Sequence, residues 1–148
     1  MGNSAHQGYS PTLEELDQLV AFLPRFSADG FLPVKAWKGG GRGTDGVISM
    51  PWPDYEDVVS DFFDFATDAV LRWKKGAYLD SEAVKRIDDP EFISNASLDE
   101  IQSMLTWCVR GERFCTGHWQ DVIESGTLRR LLERVAVIRS ELIDDLDQ

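Results

Sequence analysis

The segment from Tyr55 to Trp73 carries the pattern that most constrains how this chain can fold. Apolar side chains recur in it every three or four residues, the spacing that places them on one face of an α-helix. This spacing predicts a helix from about Pro53 to Lys74. The apolar face comprises Tyr55, Val58, Val59, Phe62, Phe65, Ala66, Ala69, Val70 and Trp73, with Phe63 at its margin. Because so wide a face packs on more than one side, we expect this helix at the centre of the core.

Other segments are predicted to be helical from their start signals and their apolar spacing. A capping box at Thr12 opens the first helix, which Pro24 is expected to kink or end. A second capping box, at Ser97, opens a longer helix with an apolar face of its own. The remaining helices are predicted at about 80–87, 117–125 and 128–142.

The segment from 31 to 52 is the part of the chain with β character. Residues 31–37 and 47–52 are predicted to form two short strands around the glycine-rich loop 38–46. That loop contains a GxGxxG run, but no helix follows it as a dinucleotide site requires, so we interpret it as a mobile hairpin loop and predict no cofactor. The predicted fold is mainly α, a compact array of five or six helices with one short β-hairpin or irregular β excursion near residues 31–52.

Length and charge limit the domain organisation and the classes of partner. A chain of 148 residues can form one compact domain. We predict a flexible tail over 1–11, a single helix-rich domain over 12–143 and an acidic tail over 144–148. Asp and Glu outnumber Lys and Arg by 26 to 15, a net charge of −11. Because this charge repels nucleic acid and anionic membranes, we predict neither as a partner.

The cysteine content and the first residues indicate a cellular location. Two cysteines, Cys108 and Cys115, are too few for a disulfide scaffold and favour a reduced chain. Residues 1–7 lack the basic and apolar regions of a signal peptide. No apolar run approaches the roughly 18 residues that a membrane helix requires. We therefore expect a cytoplasmic protein.

Residues 110–119 hold the densest group of chemically active side chains, in the order Arg-Gly-Glu-Arg-Phe-Cys-Thr-Gly-His-Trp. Two guanidinium groups, a carboxylate, a thiol, an imidazole and an indole occur together there. The candidate binding residues are Arg110, Glu112, Arg113, Cys115, His118, Trp119 and Glu124. No residue is assigned a catalytic role, and a non-enzymatic function is favoured.

This segment resembles the Arg-Gly-Glu-Arg-Phe-Cys-x-Gly-His-Trp signature of a prokaryotic family of domains of unknown function. Looser similarity at 19–26 and 51–62 extends the resemblance over most of residues 13–140. The resemblance implies a small, helix-rich, prokaryotic and cytoplasmic domain. It implies no activity.

Cys115 and His118 suggest two further kinds of chemistry. Their spacing suits two ligands of one metal ion, with Asp121 and Glu124 following at helical steps. The chain has only two Cys and two His, too few for a closed Cys/His zinc site, so no metal is predicted. A nucleophilic thiol with an imidazole base is the other reading, but nothing in the sequence supplies an orienting third group or an oxyanion hole.

Two interpretations of the 110–119 segment stay open. In the first it is a structural corner, in which the arginines pair with Glu112, Glu124 or helix ends. Gly111 and Gly117 would then adopt backbone angles closed to other residues, and Phe114 and Trp119 would fill the core. In the second, the corner also forms a pocket in which both arginines bind a small carboxylate or phosphate, or bind a nucleotide-like ligand with or without its hydrolysis.

The leading functional hypothesis is a non-catalytic module that binds another protein or a second copy of itself. Trp37, Met50 and Trp52 lie near the flexible loop and could form an exposed apolar patch. A row of like charges on one helix face could meet a basic partner; it comprises Asp57, Asp61, Asp64 and Asp68. A basic ridge could pair with that row; it comprises Arg129, Arg130 and Arg134.

Overall fold

The computed structural model describes residues 11–43, 45–73 and 82–146, and most of them are helical. The elements in chain order are α1 (Leu13–Ala21), α2 (Leu23–Phe26), β1 (Val34–Lys38), β2 (Trp52–Tyr55), α3 (Asp57–Trp73), α4 (Glu82–Lys85), α5 (Pro90–Ser94), α6 (Leu98–Arg110), a 3-10 turn (Gly111–Arg113), α7 (His118–Glu124) and α8 (Thr127–Leu146). The two strands form one antiparallel hairpin. The prediction of a mainly α fold with one short hairpin is confirmed.

Both predicted capping boxes are present. The Thr12 hydroxyl accepts a hydrogen bond from the Glu15 backbone N–H at 3.1 Å, and the Glu15 carboxylate accepts one from the Thr12 N–H at 3.0 Å. Ser97 and Glu100 make the same reciprocal pair at the start of α6. Each cap satisfies backbone donors that a helix start leaves open, so these two starts are fixed locally by sequence.

Prolines lie in the first turns of two helices in the described part of the chain. The predicted first helix is divided at Phe22, and Pro24 lies in the first turn of α2. α5 was not predicted, because Pro90 was interpreted as the end of the preceding helix. Pro90 instead occupies the first turn of α5, while the Asp89 carboxylate accepts hydrogen bonds from the N–H groups of Glu91 and Phe92.

The hairpin is displaced along the sequence from its predicted position. β1 pairs with β2 so that Trp37 lies opposite Pro53 and Val34 opposite Tyr55. α3 therefore begins at Asp57 rather than near Pro53, and Tyr55 belongs to the sheet rather than to the apolar face of α3. The glycine-rich run is a loop inside the hairpin, where Arg42 and Ile48 form an isolated bridge.

The most enclosed helix is α6, not α3 as predicted. Residues 101–106 of α6 are all buried, and six consecutive residues cover more than one full turn. Every face of α6 is therefore covered at this level, whereas α3 leaves a row of aspartates in solvent. α6 packs against α3, α4, α7 and α8, and α8 packs in turn against α1. The sequence pattern missed this because Gln102, Ser103 and Thr106 are buried polar residues.

The acidic row on α3 is exposed at all four positions. The suggestion that the basic ridge pairs with it inside the fold is wrong for the described residues. Arg134 Nε donates to the Ala96 carbonyl at 2.8 Å, and Arg130 donates to the Ser125 carbonyl at 3.4 Å. Arg129 lies 3.9 Å from Glu133 on its own helix. The acidic row faces solvent, and its first member, Asp57, pairs with Lys35 of β1.

The described residues can be compared with the tails predicted at the two ends of the chain. The predicted tail over 1–11 lies, except for Pro11, outside the described residues, as do 80 and 81 of the predicted 80–87 helix. At the other end, α8 continues to Leu146, so the predicted acidic tail begins inside a helix. Across the described ranges, none of the helices has the length and apolar character needed to cross a membrane.

Candidate functional site

The segment 110–119 forms a tight corner between α6 and α7. α6 ends at Arg110, the 3-10 turn follows without interruption, and α7 begins after Gly117. Gly117 has φ +91°, a conformation that favours glycine. A Cβ at this position would also lie 3.2 Å from Cη2 of Trp37. The prediction of a special backbone angle is confirmed for Gly117, and it is wrong for Gly111, where φ is −64°.

The Glu112 carboxylate holds this corner together. One of its oxygens, Oε2, accepts a hydrogen bond from the Gly117 N–H at 3.0 Å. The other, Oε1, accepts from the Trp119 N–H at 2.8 Å and from the Tyr55 hydroxyl at 2.9 Å. The Tyr55 oxygen accepts in turn from the Gln120 N–H at 3.3 Å. Glu112 therefore supplies the start of α7 with the acceptors that an N-cap side chain normally provides, and it ties that start to β2.

This arrangement raises the pKa of the Tyr55 hydroxyl. Burial disfavours the phenolate, and the neighbouring Glu112 carboxylate disfavours it further by accepting the hydroxyl hydrogen bond and by charge repulsion. The pKa of Tyr55 is therefore well above its ordinary value, and the hydroxyl stays protonated as a donor. Tyr55 thereby links β2 to the corner.

Trp119 joins the corner to the apolar core. Its ring is parallel to that of Phe63, with centroids 4.2 Å apart and an interplanar angle of 3°. Its indole N–H donates to the Val109 carbonyl at 3.2 Å, near the end of α6. Tyr55 lies on another side at 5.4 Å. Trp119 is half-buried and packs against the core rather than filling it, and the stack on Phe63 and the indole hydrogen bond hold its ring in place.

His118 is buried against Gly111. A Cβ on residue 111 would lie 2.3 Å from Cδ2 and Nε2 of the imidazole, so only glycine fits there. Trp107 packs edge-on against the same ring at 4.4 Å. Desolvation lowers the pKa of His118, opposed by the Glu112 charge and by a hydrogen bond with the Trp107 backbone. The buried Nε2 atom has no hydrogen-bond partner among the described residues.

The structure separates the environments of Cys115 and His118. The Cys115 thiol is exposed, while the imidazole is 8% exposed. The expectation that Phe114 fills the core is wrong, because its side chain is 75% exposed. Residues 113–116, in and just after the last residue of the 3-10 turn, are all exposed. The described residues include no cluster of three or more His, Cys, Asp or Glu side chains that could hold a metal ion.

The arginines are arranged differently from the predicted ion-pair cluster. The Glu112 oxygens are occupied by Tyr55, Gly117 and Trp119, and Glu124 accepts from the Gln120 amide at 3.1 Å. Arg113 is exposed and makes no ion pair within the described part of the chain. Arg110 and Arg113 both line a cleft of about 360 Å³. The cleft is lined by Thr67, Val109, Arg110, Glu112, Arg113 and Trp119.

A second exposed feature is the hairpin arm, which we define as residues 34–55. Its base is attached to the corner, since Trp37 Nε1 donates to the Gln120 side chain at 3.2 Å and the Trp37 ring covers Gly117. Its outer part is apolar and exposed. Nine large hydrophobic side chains are exposed in the described residues, and five of them lie in this arm: Trp37, Val47, Ile48, Met50 and Trp52.

Sequence reasoning missed several residues of the corner. Tyr55 was placed on the α3 face, because its spacing from Val58 and Val59 fits a helix. Gln120 links Trp37 to Glu124, and Thr67 lines the cleft, yet neither carries a local signal. Pro53 did not decide between the two structures, because proline is accepted both in the first turn of a helix and on an edge strand.

Comparison with known proteins places the chain in a family. Comparison with curated proteins and with solved structures finds no match to it. The sequence model of a family of unknown function, DUF6508, matches residues 11–141, which include α1 through most of α8, the hairpin arm and the corner. The match covers well over half of the chain, and the protein therefore belongs to the DUF6508 family.

Proposed function

We propose that this protein is a non-catalytic interaction module that binds a basic segment of a partner protein through the hairpin arm. The observation that carries the proposal is the concentration of exposed apolar side chains in the arm. Single exposed hydrophobic residues are common on protein surfaces and mean little. Several in one short hairpin form the kind of patch that marks a contact surface.

The open edges of the sheet support a strand-like partner. β1 and β2 form a two-stranded sheet within the described residues, so each strand has an outer edge without a neighbour. Such edges present unpaired backbone donors and acceptors to an incoming chain. An extended peptide that adds to an edge would gain main-chain hydrogen bonds and place alternate side chains against the apolar residues of the arm.

The base of the arm is held in position before any partner binds. Trp37 is attached to Gln120 and covers Gly117, as described above. The Lys35 ammonium lies 3.3 Å from the Asp57 carboxylate, and the Glu56 N–H donates to the Pro33 carbonyl at 2.8 Å. The base of the arm is therefore already ordered when a partner binds. Because binding then costs less conformational entropy, the affinity is higher.

Charge determines the chemistry of the partner. The acidic row on α3 begins at Asp57, directly beside β1, and continues along the exposed face through Asp61 and Asp64. Lysine or arginine side chains on a segment bound to the arm would complement this row. A second copy of the chain would bring a net charge of −11 against another of −11, so we favour a different, basic protein.

We place this interaction in the cytoplasm of a prokaryotic cell. The prokaryotic origin rests on the signature resemblance in residues 110–119. The free thiols of Cys108 and Cys115 support a reducing compartment, because an exposed thiol such as that of Cys115 is readily oxidised elsewhere.

A selection from displayed random peptides tests this proposal. The wild-type protein should enrich peptides in which Lys or Arg alternates with apolar residues. The Ile48→Ser/Met50→Ser variant should lose these peptides, whereas Val137→Ser, which removes an exposed apolar residue from α8, should retain them. Enrichment of acidic peptides, or equal enrichment by all three proteins, would contradict the proposal. A wild-type dimer in sedimentation velocity that the arm variant dissolves would instead identify a second copy as the partner.

A further inference from the structure

The cleft beside the corner is a second surface with its own chemistry, separate from the hairpin arm. Its volume of about 360 Å³ lies at the small end of the range typical of ligand sites. Val109 and the Trp119 ring provide an apolar wall, and the exposed guanidinium group of Arg113 provides positive charge. We infer that this cleft binds a small organic anion, with one ring or a short apolar chain attached to a carboxylate or phosphate group.

The apolar wall of the cleft is rigid. Trp119 cannot turn without losing its stack on Phe63 and its hydrogen bond to the Val109 carbonyl. Binding an apolar body against such a wall requires little ordering of the protein. The small volume suits a ligand with a single ring better than a larger one. It therefore favours a small anion over the nucleotide-like ligand that the sequence also suggested.

The charge within the cleft favours an anion. Glu112 is the one carboxylate among the described lining residues, and its oxygens are directed at Tyr55, Gly117 and Trp119. Arg113 is exposed and has no ion pair in the described residues, so its planar guanidinium is available for a bidentate contact. The Thr67 hydroxyl donates a hydrogen bond to the Phe63 carbonyl at 2.7 Å. Its oxygen can still accept a hydrogen bond from a ligand.

Calorimetric titration with phenyl phosphate, benzoate, inorganic phosphate and benzyl alcohol tests this inference. Phenyl phosphate or benzoate should bind the wild-type protein, and whichever binds more tightly identifies the acid group. Benzyl alcohol should not bind, because it has no charge. Inorganic phosphate should bind more weakly than phenyl phosphate, because it makes no contact with Trp119.

Three variants locate the binding to the cleft. Arg113→Gln should weaken the phenyl phosphate or benzoate affinity by at least about tenfold, the scale of one lost charged hydrogen bond. Thr67→Trp should also weaken it, by filling the cleft from an exposed position on α3. Arg25→Gln is the matched control, since Arg25 is exposed on α2 away from the cleft, and it should leave the affinity within about twofold.

Four results would overturn the inference. They are no binding of either organic anion at about 10 mM, equal affinity for inorganic and phenyl phosphate, the same loss in Arg25→Gln as in Arg113→Gln, and unchanged affinity in Thr67→Trp. Melting temperatures of the unliganded variants verify that each is folded. None of these results depends on the peptide selection, so the inference and the proposed function fail separately.

Discussion

The imidazole of His118 lies directly over the α-carbon of Gly111, so close that a methyl group on residue 111 would come within 2.3 Å of the ring. The backbone at Gly111 is ordinary, with φ −64°. Glycine is therefore required there by the neighbouring side chain and not by the backbone conformation. This contact fixes the angle at which the 3-10 turn leaves α6 and positions Glu112 for the start of α7.

Gly111→Ala is expected to destabilise the protein by overpacking, by about 1–3 kcal/mol or more. The new methyl group would displace a buried ring that Trp107 holds on another side. Denaturant unfolding measures the change. Gly41→Ala is the control, because a Cβ there meets nothing within 4 Å. In a His118→Ala background the Gly111→Ala substitution should have a much smaller effect, and an undiminished effect would show that the clash is not with the imidazole.

His118 should make the stability of the protein depend on pH. Its pKa is lowered in the folded state, so the unfolded chain binds more protons between the folded value and the ordinary value. Stability should therefore fall as the pH drops below about 6.5 and be highest above it. His118→Gln should flatten this part of the profile between about pH 5 and pH 7. An unchanged slope in His118→Gln would contradict this assignment.

Glu112→Gln is expected to destabilise the fold by about 2 kcal/mol, because hydrogen bonds to a charged acceptor are stronger than those to a neutral amide. The amide also has one acceptor oxygen where the carboxylate has two, so a donor at Gly117, Trp119 or Tyr55 loses its partner. Glu141→Gln, at an exposed position of α8, is the control. Equal stability of the two variants would contradict the role assigned to Glu112.

Substitution of Trp119 should lower the stability of the protein far more than substitution of Phe114, although both lie in one segment. Trp119→Ala removes a ring stacked on Phe63 and is expected to destabilise by about 3–5 kcal/mol. Phe114→Ser removes a side chain that is 75% exposed and should change stability by less than about 0.5 kcal/mol. Thermal and denaturant unfolding of both variants measures the difference, and a large loss in Phe114→Ser would contradict its exposed position.

Local signals predicted the parts of the fold that local interactions determine. Thr12 and Ser97 open α1 and α6 because each hydroxyl bonds a backbone N–H three residues ahead. Tyr55 was assigned to a helix because the spacing before Val58 suits α3, whereas its pairing with Val34 depends on a strand 21 residues earlier. Contacts between distant segments override local periodicity there.

The sequence predicted where the candidate site lies, but it predicted the roles of only some of its residues. The 110–119 segment forms a corner as expected, with Trp119 packed against the core. The role of Glu112 depends on Tyr55, 57 residues away, and that contact has no local signature. The pairing of Glu112 with arginine was the expectation from charge alone, and the backbone N–H groups of α7 took its place because a helix start leaves those donors open.

Hydrogen exchange with and without a peptide obtained from the selection tests the central claim most directly. We predict that the bound peptide slows amide exchange in the hairpin arm, residues 34–55, and in the first turns of α3. The 110–119 corner should be unchanged except at Gly117, which the Trp37 ring covers. Protection confined to the 110–119 corner and the cleft, with none in the arm, would contradict the proposal that the arm is the interaction surface.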